Sequence, residues 1–207
     1  YGKYGFSPDL LLKTVDEPLD NLWNRLMKVI ESLQTPYKKF TQSIFMAHKQ
    51  KIRIMPGSIN YPIRGGFLKH LVTTAEMSID ILPYYSALNK NLVLSGILLH
   101  DIGKVESIND NLQADYTDAG RLIGDVTLSV NIVQNAASSF KNFPEEILLK
   151  LEHIILSHRT VGDAGAIGSG FAEALFVHYI NILDDQLNLM LNTIVKDSNQ
   201  GWTNNHN

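Results

Sequence analysis

The chain has 207 residues, of which 44% are hydrophobic and 19% are charged, and these figures exclude an intrinsically disordered chain and a low-complexity fibre. Its 18 basic and 21 acidic residues give a net charge of −3, which argues against a dedicated nucleic-acid-binding protein. The sequence contains no cysteine, so disulfides, thiolate zinc sites and cysteine nucleophiles are excluded, and any metal must be held by His, Asp, Glu or Asn.

Apolar residues recur mostly at intervals of three and four, which is helical spacing and predicts an all-α fold. We expect an extended lead-in over residues 1–17, a helical domain over 18–196 and a polar tail over 197–207. Proline and glycine positions divide the first half of the domain. The expected elements are helices over 18–34, 36–50, 66–82 and 90–105, with a loop at 55–62 and a stop at Pro83.

In the second half, residues 109–116 predict a turn, after which Thr117 caps a helix that continues to about residue 139. Pro144 begins another helix to about 158, and the last helix spans about 171–195. The glycine-rich segment 160–170 favours a mobile flap, with a plain flexible connector as the alternative.

Charge is unevenly distributed along the chain. Residues 25–69 contain nine basic residues and one acid, a charge of +8, so the remainder carries −11. Such segregation marks a surface for anionic ligands or arises from helices of alternating charge. Aromatic side chains are interleaved with these cations, a mixture that can bind single-stranded nucleic acid, although Phe40 and Phe45 have the spacing of core residues.

The pair His100-Asp101 follows directly after the longest apolar run and is the strongest candidate for chemistry. A buried carboxylate is costly unless it is paired or bound to a metal, so the pair is either a hydrogen-bonded core pair or part of a metal site. His70 and Asp184 lie on the apolar stripes of two other predicted helices. A lone histidine on such a stripe is usually a satisfied core residue, but a second inward carboxylate is hard to explain by packing alone.

These residues resemble the pattern of the HD-domain metal-dependent phosphohydrolases, in which a His, a His-Asp pair and a distant Asp project from the helices of an all-α fold. The chain closely resembles one subgroup, the HD module of bacterial 3′ to 5′ exoribonucleases. The resemblance implies a bundle of about seven to nine helices and one or two divalent ions drawn from Mn, Fe, Ni, Zn and Mg. The stretches that carry it are Met55 to Ser58, Arg64 to His70, Leu99 to Lys104, Gly120 to Gly124, Glu152 to His158 and His178 to Asp184.

The resemblance also implies a role for each matching residue. His70, His100 and Asp101 match three ligands of the first metal, and Asp101 would bridge to a second metal. His158 matches a histidine near the second metal. Lys104 matches a lysine that contacts the scissile phosphate, so Asp101 and Lys104 are the candidate catalytic residues. Four basic residues are expected to bind the substrate: Arg64, Lys69, Arg121 and Arg159.

Several positions depart from the pattern of the subgroup. Asn60-Tyr61 replaces a His-His pair, Asp125 replaces a histidine, and Arg159 replaces the second histidine of a Ser-His-His. Asn181 stands where the family has its final metal-binding Asp, and an amide oxygen is a weaker donor than a carboxylate. We therefore count Asp125, Asn181 and Asp184 among the candidate metal ligands, with Asp184 able to compensate for Asn181. Arg159 can only donate, and would bind a phosphate or repel a second metal.

The leading hypothesis is a metal-dependent phosphohydrolase that cleaves a phosphodiester or phosphomonoester, at nucleic-acid 3′ ends or in nucleotides. The altered site positions favour the alternative, a degenerate HD module that binds nucleotide or nucleic acid without hydrolysis. A redox enzyme with two irons is a third hypothesis, against which the incomplete set of histidines argues.

The expected partner is a nucleotide or a single-stranded nucleic acid. The sequence leaves open whether the chain forms a homo-oligomer. The longest apolar run, residues 92–99, is far short of the roughly 20 residues that cross a bilayer, so we expect no membrane span. Residues 1–19 lack the layout of a signal peptide, which predicts a cytoplasmic protein. In the subgroup an oligonucleotide-binding domain precedes the HD module, and residues 1–14 look like its end.

Overall fold

A computed structural model describes residues 13–57, 63–109, 114–159 and 167–196. Within these ranges the chain forms α-helices, a short 3₁₀ turn at Leu82–Tyr84 and two isolated β-bridges, so the predicted all-α fold is confirmed. The helices are α1 (Leu19–Ser32), α2 (Tyr37–Ala47), α3 (Lys49–Ile54), α4 (Gly66–Ile81), α5 (Lys90–Leu99), α6 (Lys104–Ser107), α7 (Asp118–Leu122), α8 (Asp125–Ser138), α9 (Glu145–Ser157) and α10 (Ala172–Lys196).

Of the ten helices in the described ranges, seven have ten residues or more, in agreement with the expected seven to nine. Several predicted features lie outside the described residues. They are the start of the lead-in before residue 13, the pair Asn60-Tyr61, most of the flap at 160–166 and the tail after residue 196.

Two helices that the sequence predicts as continuous are divided. Only His48 separates α2 from α3, because its backbone leaves the helical region with φ −107° and ψ 11°. The helix predicted over 90–105 ends with α5 at Leu99, and residues 100–103 form a turn before α6. Gly103 lets this turn press against α8, since a Cβ atom there would lie 2.1 Å from the Asp125 carbonyl oxygen. The start of α8 therefore supports the turn that carries His100 and Asp101.

The helix predicted from Thr117 to about 139 is also shorter than expected. Its cap is confirmed, because the Thr117 hydroxyl accepts a hydrogen bond from the Gly120 N–H at 3.0 Å. However, α7 ends at Leu122, and Gly124 adopts a φ of +84° that glycine tolerates. A new helix, α8, then begins at Asp125.

The central helix is α5, in which every residue from Leu92 to Leu99 is buried. It packs against α2, α4, α9 and α10. Gly96 permits a close approach of the last two, since a Cβ atom there would lie 2.9 Å from Ile154 and 3.3 Å from Val177. As a result, α4, α9 and α10 all bring side chains to the C-terminal end of α5.

The cations of residues 25–69 are partly neutralised by acids that lie near the start of α1. Charge segregated along the sequence is therefore mixed in space, because folding returns α3 and α4 to α1. Arg25 also pairs with Glu76 of α4. The ion pairs formed with acids at or just before the start of α1 are Arg25 with Glu17, Arg53 with Asp20 and Lys69 with Asp16, each at 2.5 Å.

In the part of the chain that the structure describes, no helix is both long enough and apolar enough to cross a bilayer.

Candidate metal centre

His100 lies in the turn after α5 and is completely buried. Its Nδ1 atom lies 2.7 Å from the Ile97 carbonyl oxygen, so the Nδ1–H donates and Nε2 keeps a lone pair. Burial lowers the pKa of His100 to about 3, which keeps the ring neutral near neutral pH. Nε2 is therefore a ligand nitrogen available to a metal.

His158, at the end of α9, is held in the same way. Its Nδ1 atom lies 2.6 Å from the Ile155 carbonyl oxygen, and its Nε2 lies 3.3 Å from Oδ1 of Asp101. His178 of α10 fixes the main chain at this point, because its Nδ1 lies 2.9 Å from the His158 carbonyl oxygen. The structure thus brings His158 to Asp101 and places His178 behind it.

His70 enters from α4. Its Nδ1 atom lies 2.6 Å from Oδ2 of Asp184 on α10, a distance at which the ring N–H donates to the carboxylate. Its Nε2 atom lies 3.4 Å from Nε2 of His100. With the single proton of each ring on Nδ1, the two Nε2 atoms face each other with their lone pairs.

Asp101 lies between these histidines and Lys104. Its Oδ2 atom lies 2.5 Å from Nζ of Lys104 and 3.6 Å from Nε2 of His100. Burial opposes ionisation of Asp101, but Lys104, His100 and His158 outweigh it and hold the pKa of the carboxyl well below its ordinary value. Burial also opposes the charge of Lys104, and Asp101 outweighs it and raises the pKa of the amine. Asp101 is thus a carboxylate and Lys104 an ammonium.

Asn181 of α10 adds a fourth group, its Oδ1 atom lying 3.1 Å from Nε2 of His100. Ligand atoms of His70, His100 and Asp101 all lie within 4.8 Å of one another. Lone pairs that converge in a buried space repel unless a cation lies among them, so these residues fit a divalent ion. Two imidazoles with a carboxylate suit Mn, Fe, Ni or Zn better than Mg, which prefers oxygen ligands.

A second group of three ligand atoms within 4.8 Å consists of His70, Asp184 and Asp185. Asp185 was not among the residues singled out from the sequence. Its Oδ1 atom lies 4.0 Å from Nδ1 of His70, and its side chain is largely exposed. Loss of hydration at this rim raises the pKa of Asp185, against the opposing effect of His70 and Lys104. Asp185 could have been found from the sequence by its position directly after Asp184 on the same predicted helix.

Asp125 and Arg159, both predicted for the site, bind each other. Nη2 of Arg159 lies 2.7 Å from Oδ1 and 2.6 Å from Oδ2 of Asp125. Asp125 is not a member of either group of three ligand atoms found among the described residues. The structure therefore places Asp125 beside a guanidinium, and its role as a metal ligand stays a prediction.

The other three residues expected to bind substrate have contacts away from the two metal groups. Lys69 and Arg121 each pair with a carboxylate, and the backbone of Arg64 meets the lead-in directly before α4. The contacts are Lys69 with Asp16 at 2.5 Å, Arg121 with Asp115 at 2.7 Å, and a parallel β-bridge between Arg64 and Thr14.

Comparison with known proteins assigns the chain to a family. The family described as HD domain matches residues 67–188, which is more than half of the chain and includes His70, the His100-Asp101 pair and Asn181. No solved structure matches the chain significantly.

Among curated proteins the chain is similar to 3′-5′ exoribonucleases named YhaM. It is 30% identical over 186 residues to the protein of Bacillus pumilus (strain SAFR-032), covering 88% of this chain and 59% of the relative. The protein of Bacillus subtilis (strain 168) is 27% identical over the same shares, and that of Geobacillus sp. (strain WCH70) is 27% identical over 86% and 56%. The chain thus spans less than two thirds of the length of these relatives.

Proposed function

This chain belongs to the HD domain family, and we propose that it is a metal-dependent phosphohydrolase that removes nucleotides from the 3′ end of single-stranded RNA. The observation that carries the proposal is the convergence of three ligand atoms, from His70, His100 and Asp101, within 4.8 Å. The exoribonuclease names of the relatives support the choice of RNA and of the 3′ end.

Each residue of the centre has a part in this reaction. A divalent ion held by His70, His100, Asp101 and Asn181 would polarise a phosphoryl oxygen as a Lewis acid. Lys104 keeps a fixed positive charge at the edge of this group, because its Nζ is held by Asp101 and by the Gly57 carbonyl oxygen at 3.1 Å. A preorganised ammonium at that place stabilises the negative charge that develops on a phosphate in the transition state.

The test uses a 5′-labelled single-stranded RNA, a matched DNA and a nucleotide as substrates, with protein stripped of metal and then loaded with Mn²⁺. We expect manganese-dependent shortening of the RNA from its 3′ end. An Asp101→Asn variant, which keeps the shape of the side chain and removes its charge, is expected to be inactive. A Lys150→Gln variant is a matched surface control, because Lys150 forms an exposed ion pair with Glu146 at 2.6 Å.

A second candidate function is binding of nucleotide or nucleic acid without hydrolysis. Asn181 favours it, because the neutral amide oxygen beside His100 attracts a cation less than a carboxylate does. An Asn181→Asp variant separates the two candidates. If the unmodified protein binds RNA without cleaving it, and the variant gains both manganese affinity and turnover, the binding function is supported. Hydrolysis by the unmodified protein at ordinary enzyme rates rejects it.

The partner domain and cellular location are also proposals. We place the protein in the cytoplasm with its RNA substrate, and we propose that an oligonucleotide-binding domain works with this module. The relatives are longer than the chain, which leaves room for such a domain in them. Association into a homo-oligomer stays a prediction.

A further inference from the structure

We propose that the centre holds one metal ion per chain, and that Arg159, anchored by Asp125, is the fixed cation beside it that binds the phosphate of the substrate. This inference rests on the proposed function, since it concerns how the same site takes its phosphate. Beyond that function, the centre is assigned a single metal ion, with Arg159 in place of a second ion.

Ligand atoms are distributed unevenly around the two carboxylate oxygens of Asp101. On its Oδ2 side lie the histidine nitrogens of His70 and His100, which complete a group of three. On its Oδ1 side the described residues offer one nitrogen, Nε2 of His158 at 3.3 Å. Two ligand atoms from the described residues are a poor site for a divalent ion, which normally takes at least three from the protein. The group of His70, Asp184 and Asp185 shares His70 with the first group, and the Nδ1–H of that ring donates to Asp184, so we do not count it as a separate site.

Asp125, the carboxylate that the sequence offers as a further ligand, is already engaged. Asp125 begins α8, whose first residue packs against Gly103 in the turn that carries Asp101. Both oxygens of Asp125 accept hydrogen bonds from Nη2 of Arg159, at 2.7 and 2.6 Å. A metal on Asp125 would have to displace a guanidinium that stays charged at every physiological pH.

The remaining surface of Arg159 suits an anion. Asp125 binds Nη2 alone, so the three N–H donors on Nε and Nη1 of the guanidinium remain for a second partner. The side chain is 42% exposed, which gives a ligand access to those donors. Arg159 directly follows His158, whose ring touches Asp101, and it pairs with Asp125, whose main chain packs against Gly103 in the turn that carries Asp101.

Lys104 strengthens the case for a phosphate at this place. Its ammonium contacts Asp101 at 2.5 Å, and the main chain of Asp125 packs against Gly103, the residue before Lys104, so the Arg159–Asp125 pair and Lys104 meet at the same turn. A phosphate between Lys104 and Arg159 would meet a point charge on one side and a planar fork of donors on the other.

The experiment measures two quantities on the same preparations. Metal-stripped protein is equilibrated with excess Mn²⁺, dialysed, and analysed for manganese per chain, and binding of inorganic phosphate to the loaded protein is measured by calorimetry. We expect one manganese per chain. Arg159→Gln should keep this stoichiometry and bind phosphate about 10 to 100 times more weakly, the range for a lost charged hydrogen bond.

Two further variants make the result specific. Lys150→Gln removes a cation from an exposed ion pair on the preceding helix and should bind phosphate as the unmodified protein does. Arg159→Lys keeps the charge that pairs with Asp125, so folding is preserved, but an ammonium lacks the planar fork and phosphate should bind more weakly. This variant serves if Arg159→Gln fails to fold.

Two manganese ions per unmodified chain would overturn the proposal, as would unchanged phosphate affinity in both Arg159 variants. A chain that takes up no manganese would overturn the proposed function together with it. A chain with one ion and Arg159-dependent phosphate binding, but without hydrolysis of any RNA, would support the inference while rejecting the enzymatic function.

Discussion

The Nε2 atoms of His70 and His100 lie 3.4 Å apart, and the other ring nitrogen of each histidine already donates to an oxygen. Two lone pairs facing each other in a buried space are unfavourable without a cation between or beside them. This arrangement is the physical reason to expect that a metal stabilises the fold as well as supporting chemistry.

Metal binding should therefore raise the melting temperature. At a free concentration 100 times Kd, an ion that binds only the folded chain adds about 2.7 kcal/mol to the free energy of unfolding. For a domain of this size that corresponds to a rise in Tm of roughly 5 to 11 °C. Differential scanning fluorimetry with Mn²⁺ measures it, and Asp101→Asn should show a much smaller rise. An equal rise in that variant would place the ion elsewhere.

Asp184 should tune the metal through His70. Its hydrogen bond at 2.6 Å orients the imidazole and directs the lone pair of Nε2 towards the group. Removing such a partner typically lowers metal affinity about 10- to 100-fold, so we expect Asp184→Asn to raise the Kd for Mn²⁺ by that factor. Asp185→Asn is the matched control, because this carboxylate is exposed and 4.0 Å from the same nitrogen. Equal effects of the two variants would argue that both act only through charge.

Acid should destabilise the metal-free protein over a defined range of pH. Burial lowers the pKa of His100 from 6.5 to about 3, so between these values the unfolded chain binds a proton that the folded chain does not. Stability must then fall as the pH falls from about 6.5 towards 3, by an amount on the order of several kcal/mol. Burial opposes the charge of Asp101, but the ammonium of Lys104 holds its pKa low, so Asp101 adds to the loss of stability below its ordinary pKa of 3.8.

Urea unfolding in the presence of a chelator, repeated between pH 7 and pH 4.5, measures this dependence. Burial also lowers the pKa of His48, which acts in the same direction. The ring of His48 is only partly buried, so we expect His48 to contribute less than His100. A His48→Gln variant should keep most of the pH dependence. A free energy of unfolding that stays constant across the range would show that His100 is not held neutral.

Lys104 should be needed for turnover more than for metal binding. Loss of a preorganised electrostatic contact to the transition state usually costs about 100- to 1,000-fold in kcat, and we expect Lys104→Gln to fall in this range. Lys51→Gln is a close control, because Lys51 donates to the Val105 carbonyl oxygen at 2.7 Å, one residue beyond Lys104 in the chain. Its kcat and manganese content should change little. Complete loss of manganese in Lys104→Gln would instead assign Lys104 to holding Asp101.

The contacts of the centre show which parts of the site sequence reasoning can find. His70, His100 and Asp101 are visible because polar residues on otherwise apolar helical faces demand an explanation, whereas His158 was found through the resemblance to the HD family. The pairing of Asp125 with Arg159 is not visible, because the two are 34 residues apart and only the packing of α8 against α9 brings them together. Arg159 has Asp125 as its partner because of tertiary packing, which a local sequence pattern does not contain.

The same limit explains the errors in the helices and why the distribution of charge stayed open. The division of the helix predicted over 90–105 depends on contact between Gly103 and α8, a partner distant in sequence. The positive φ of Gly124 was open to prediction from glycine alone, but glycine also occurs within helices. The sequence left open whether the +8 stretch forms one surface, and the structure places Glu17, Asp20 and Asp16 against it.

The most direct measurement is the initial rate of 3′ nucleotide release from single-stranded RNA as a function of manganese bound per chain, in one preparation titrated from the metal-free state. We predict no release without metal, a rate that rises in proportion to occupancy of the His70, His100 and Asp101 group, and a plateau when it is full. A rate that survives complete removal of metal, or full occupancy without release from any single-stranded RNA, would contradict a metal-dependent phosphohydrolase at this centre.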